Sequence, residues 1–156
     1  MKRRIFFPLS LLAFAAFALA HRAKAAEGPK DDNLILIQVV VEDMTDPAKP
    51  VKTLTMGGRC HPGQPALLNW ASPHEPYFRF QDLTADVVTI GESRRMLATT
   101  VTMSIASRRE AKPVALQRTA QVDDGQPFVV GAATVPVGGK EHCYVVVASA
   151  LREKAR

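Results

Sequence analysis

From residue 34 onward the apolar positions fall in short runs rich in Val, Thr and Ile, interrupted by proline or glycine every ten residues or so, and no stretch shows the 3.6-residue period of a helix. Residues 34–42, LILIQVVVE, are almost unbroken in apolarity and predict a central strand covered on both faces. Residues 43–50 read as a loop, because Pro47 and Pro50 cannot donate to a ladder. A strand follows over 51–56, ended by Gly57-Gly58. Closely spaced prolines make 59–76 irregular, with room for a short strand over 65–70. Residues 77–81 alternate, placing Tyr77 and Arg79 on one face and Phe78 and Phe80 on the other. Further strands are predicted over 84–90, 96–106, 113–122, 127–133 and 142–150, linked by turn-like segments at 91–95, 107–112, 123–126 and 136–140. Asp124-Gly125 is the sharpest turn signal and predicts a tight hairpin, since glycine enters positive φ without steric cost. Short links between successive strands favour antiparallel neighbours. The expected fold is all-β, an antiparallel meander forming a β-sandwich or a partly closed barrel.

The first 25 residues follow a different rule. Lys2, Arg3 and Arg4 precede an apolar run over 5–20, and Ala23-Lys24-Ala25 supplies a small-residue cleavage pattern. This is the order of a cleavable secretory signal peptide. The run is at the short end for a membrane span and contains Pro8. Residues 26–33 and 152–156 are polar and aperiodic and are expected to be flexible, leaving one β domain over 34–151. The implied location is periplasmic or secreted.

Export changes how the charge is read. The precursor carries a net +5, but five of its twenty basic side chains and none of its fifteen acidic ones lie within 1–25. The mature chain is balanced at fifteen of each. The apparent basicity therefore belongs to the targeting segment, and a nucleic-acid partner, which clustered positive charge would hold, is not expected. Arg94-Arg95 and Arg108-Arg109 read as solvated turns.

Candidate chemistry is sparse. The two cysteines each have a histidine neighbour, in Cys60-His61 and His142-Cys143. In an exported protein such a pair reads first as a disulfide, worth ~4 kcal/mol in the chain-entropy model, with free buried thiols as an alternative. A further alternative is a metal site of Cys60, His61, His142 and Cys143, whose ligand chemistry suits zinc or copper. Adjacent strand residues point to opposite faces, however, and the spacing matches no finger or ribbon. No catalytic residue is assigned: the serines lie in no nucleophile elbow, and the glycine pairs introduce no phosphate-binding helix. Asp82, Asp86, Asp123 and Asp124 read as turn and strand-end residues, and His74 as an exposed loop residue. Trp70, Tyr77, Phe78 and Phe80 are expected to be partly buried. No cofactor and no small-molecule substrate is expected.

Several pieces, in order, resemble the core domain of bacterial secretins, the gate proteins of type II and III secretion and type IV pili. LILIQVVVE (34–42) looks like the apolar strand ending in Glu that opens that domain, and Thr53-Leu54 through Gln64-Pro65-Ala66 is loosely similar to its threonine-rich strand and Gly-Gln-Xaa-Ala segment. LATTVTMSI (97–105) is similar to its amphipathic central strand, and RTAQVDDGQPFVVG (118–131) resembles its closing hairpin. The chain departs where Ala132 and Ala133 replace a second glycine, and where proline-rich 59–76 is ill suited to a membrane-crossing hairpin. The resemblance implies an accessory or interaction module rather than a pore. The expectation is an exported non-enzymatic domain that binds envelope proteins or itself, with at most peripheral membrane contact. The alternative is a periplasmic metal-binding or redox protein built on the two Cys/His pairs.

Overall fold

The computed structural model describes residues 34–66 and 71–153. The predicted signal peptide over 1–25, the segment over 26–33, Trp70 and the last three residues lie outside them. Seven strands follow in chain order: β1 (Ile35–Asp43), β2 (Val51–Cys60), β3 (Tyr77–Ile90), β4 (Arg94–Ala106), β5 (Val114–Val122), β6 (Phe128–Val137) and β7 (Lys140–Arg152). They form two antiparallel sheets, β2-β1-β7-β6 and β3-β4-β5. The arrangement is sandwich-like and is not a closed barrel. Every ladder joins strands consecutive in sequence, except that β1 and β7 bring the two ends of the domain together.

Alternation decides what is buried. Ile35, Ile37, Val39 and Val41 of β1 and Tyr144, Val146, Ala148 and Ala150 of β7 face Leu97, Val101, Met103 and Ile105 of β4 across the core. On β3 the buried set begins Phe78, Phe80 and continues Leu83, Ala85, a phase slip of one residue. A bulge between Phe80 and Asp82 absorbs the slip, so β3 is one bent strand rather than the two the pattern predicts. Phe78 and Phe80 are fully inside, as their alternation with Tyr77 and Arg79 requires.

Three further expectations are corrected. Gly57 and Gly58 do not end β2: they pair with Gln38 and Ile37, and the ladder continues to Cys60, because β1 supplies a full row of partners. Asp124-Gly125 does turn the chain, with Gly125 at φ 76° and Gln126 donating to the Asp123 carbonyl, but it joins β5 to β6 in the opposite sheet. Tertiary contacts fix that corner: Gly125 N–H donates to Ala150 O at 2.7 Å, and Arg152 grips Asp124 through Nε and Nη2 at 2.7–3.0 Å. Finally, Arg152, expected in a flexible tail, ends β7, and Glu153 N–H donates to Leu34 O at 2.8 Å.

Candidate interaction surface

A two-sheet sandwich has four strand edges, and exposed edges invite pairing with another chain. One of them is hydrogen-bonded to another segment here, and two lie against each other. The edge of β3 is covered by its own preceding segment, through Gly63 N–H to Ala85 O, Ala66 N–H to Leu83 O and Ser72 N–H to Phe78 O. The prolines of that segment keep it from becoming a regular strand; only Pro65 and Ala71 form isolated bridges. The edges of β5 and β6 lie against each other without a backbone ladder between them. Arg118 reaches across and donates from Nη1 to Val129 O at 2.9 Å, beside a bulge in β6 between Val129 and Gly131. Gly131 permits this approach, since a Cβ there would lie 3.1 Å from Leu116 Cδ2.

The fourth edge is β2. Among the described residues its only backbone ladder is with β1. Val51, Lys52, Thr53, Thr55, Gly57 and Arg59 are exposed, and the core-facing Leu54 and Met56 are only half-buried, capping the core from its side. Strand formation follows from Val51, Thr53 and Thr55, and the strand is held at both ends. At its far end Arg59 pairs with Glu153 at 3.0 Å. At its near end the β1–β2 loop is anchored by Asp43, whose carboxylate accepts from the Thr45 amide and hydroxyl and lies 2.7 Å from His142 Nδ1. The Thr45 hydroxyl in turn accepts from Cys143 N–H, and Met44 N–H donates to Cys143 O.

This anchor carries the domain's strongest electrostatic signals. Burial pushes the Asp43 carboxyl upward, but the Thr45 and His142 hydrogen bonds and the nearby imidazole outweigh it and leave its pKa below the ordinary value. Tyr144 is buried between Phe78, which meets it edge-on at 5.6 Å, and the stacked His142 ring. Burial, with the Asp43 charge behind it, pushes the phenol up to about 12. An Asp/His pair is a possible acid-base unit, but Cys143, the nucleophile nearest in sequence, projects from the other face of β7. Sequence reading missed Asp43 and Thr45; Asp43, two residues before Thr45 at a strand end, is the usual pattern of an Asx turn and is the signal that was available.

Comparison with known proteins adds nothing to this geometry. No family model, curated protein or solved structure matches the chain.

The pairings predicted for the cysteines are not formed. Cys60 lies opposite Ile35 at one end of the sheet, whereas Cys143 lies beside Met44 at the other. Nine residues of β1 separate those points, roughly 30 Å at strand rise, against the 7 Å a disulfide tolerates. Both thiols are free, Cys60 buried and Cys143 half-buried. Burial also raises the Cys60 pKa. The same separation divides Cys60 and His61 from His142 and Cys143, and no cluster of three or more metal-ligating side chains occurs among the described residues. Arg108 and Arg109 flank a shallow cleft with Glu75, Tyr77 and Glu110, and Arg109 sits 5.8 Å over the Tyr77 ring. Two carboxylates there balance two guanidiniums, which leaves no anion site. Asp123 and Asp124 serve as turn residues, bound to Arg94 and Arg152.

Proposed function

We propose that this chain is an exported, non-enzymatic β-domain of the bacterial cell envelope that binds by accepting an extended strand along the free edge of β2. The single observation carrying the reading is the contrast between edges among the described residues: β3 is bonded to its preceding segment and β5 and β6 lie against each other, while the backbone of residues 54–60 of β2 pairs with β1 alone. In strand addition the main chain supplies affinity and alternate side-chain pockets supply selectivity. The half-buried Leu54 and Met56 provide such pockets, because an added strand would place every second side chain against them. The secretin-like sequence pattern suggests a place beside a secretion or pilus apparatus, as an accessory domain rather than as the gate.

The test is a photo-reactive amino acid installed at Thr55 on β2 or at Gln121 on the outer face of β5, with the protein exported in living cells. The reading expects discrete adducts from Thr55 and none from Gln121. Adducts from Gln121 alone, or from neither position, would remove it.

A further inference from the structure

The pattern of residues along β2 is self-complementary, and we infer that two copies of this chain pair β2 against β2 in antiparallel fashion about a two-fold axis at Gly57. The inference rests on the reading of β2 as the binding edge and names its occupant. A register shift at Val41/Glu42, where Leu54 and Lys52 flank an extra Thr53, interrupts the ladder near the start of β2. The regular run is therefore residues 54–60, and its midpoint is Gly57. Only an axis there lets all seven residues pair, since moving it in either direction leaves residues of the run unmatched.

That axis also produces a good fit on both faces. On the core side, Met56 falls opposite Gly58 of the second copy, which has no side chain, and Leu54 falls opposite the small Cys60; each pair occurs twice. Large residues thus meet small ones, and the half-buried Leu54 and Met56 lose their remaining exposure. On the outer side, Arg59 falls opposite Thr55, so no like charges are juxtaposed. At the axis, Gly57 faces its own copy. There is room there: a Cβ on Gly57 would meet only Ile37 O at 3.6 Å and Leu36 Cδ1 at 3.9 Å, ordinary contacts. The product is a continuous eight-stranded sheet with no free β2 edge, and symmetric self-pairing of this kind closes without forming fibres. The contact is small, so dissociation is expected in the micromolar range, roughly as for transient interfaces.

The experiment uses the purified mature protein. Analytical ultracentrifugation across a concentration series should show a reversible monomer–dimer equilibrium. Thr55→Arg sets an arginine opposite Arg59 of the second copy at two symmetric places and should weaken dimerisation by roughly tenfold or more, whereas Thr55→Glu should tighten it. Thr55 is exposed on the monomer, so circular dichroism and melting of both variants should match the parent. In a Cys143→Ser background, Gly57→Cys should cross-link under mild oxidation, because directly opposed Cα atoms lie at disulfide distance, whereas Thr55→Cys should not. A protein monomeric at all concentrations, a dimer indifferent to Thr55→Arg, or cross-linking at Thr55→Cys in place of Gly57→Cys would each overturn the inference. A monomer that still yields Thr55 photo-adducts with another envelope protein would defeat this pairing while leaving the functional reading in place.

Discussion

The Asp43 carboxylate and the His142 ring, 99 positions apart in sequence, lie 2.7 Å from one another and join the end of β1 to the start of β7. The loop they anchor leads directly into β2, so this contact helps to set where the free edge begins. A carboxyl whose folded pKa is depressed contributes stability that is present above its unfolded value, near 3.8, and is lost as pH falls through the lower folded value. Asp43→Asn should therefore cost about 1 kcal/mol at pH 7, the size of one ordinary hydrogen-bond loss. The difference between variant and parent should shrink as the pH is taken below 4. Urea denaturation at pH 7 and pH 3 checks both statements; an undiminished difference at pH 3 would assign the effect to something other than ionised Asp43.

Thr99 is fully buried on β4, and among the described residues its hydroxyl has no hydrogen-bond partner. A hydroxyl held away from water without a partner costs about 1–3 kcal/mol, while its methyl group packs as valine would. Thr99→Val should raise stability by about 1 kcal/mol, read as a higher urea midpoint with an unchanged slope. A lower midpoint would mean that the hydroxyl has a partner after all.

The β5/β6 contact depends on Gly131. Valine there drives branched carbons into Leu116, already only 3.1 Å from where a Cβ would lie, and should destabilise the fold by about 1–3 kcal/mol. Adding Leu116→Ala should recover part of that loss, because it vacates the contested space. Strictly additive costs in the double mutant would contradict the contact.

Both thiols should react with a thiol reagent in the unreduced protein once it is unfolded. In the native state a small alkylating reagent should modify Cys143 first, since Cys60 is 4% exposed and burial raises its pKa. Intact-mass analysis distinguishes this from a bridged protein, which would take up no label without reductant.

The sequence carried the strands more reliably than their partners. Alternation over 77–81 placed Phe78 and Phe80 inside, because a strand with one core face must place its apolar residues at every second position, whereas the unbroken apolar run of β1 did not show which of its faces meets the other sheet. The residue pattern divided β3 in two, since a bulge at Gln81 looks identical to a break when only the phase of the pattern is visible. It ended β2 at Gly57-Gly58, whose weak strand preference is overruled by the row of partners on β1. The Asp124-Gly125 turn was legible as a turn, but its destination was not, because the bonds that choose the opposite sheet come from Ala150 and Arg152. Cys60 and Cys143 looked like a pair for the same reason: their separation is set by the β1–β2 and β1–β7 registers, which no local signal encodes. The free edge of β2 was equally hidden, as it is defined by what the remaining strands leave uncovered.

Amide hydrogen exchange along β2 tests the central claim most directly. In dilute protein, amides of residues 54–60 that point away from β1 should exchange rapidly while their alternate neighbours and the amides of central β4 stay protected, and the fast set should become protected as the edge is filled at high concentration. Uniform protection of β2 in the dilute protein would show that the edge is already covered, and the account of this domain as a strand-accepting module would fail.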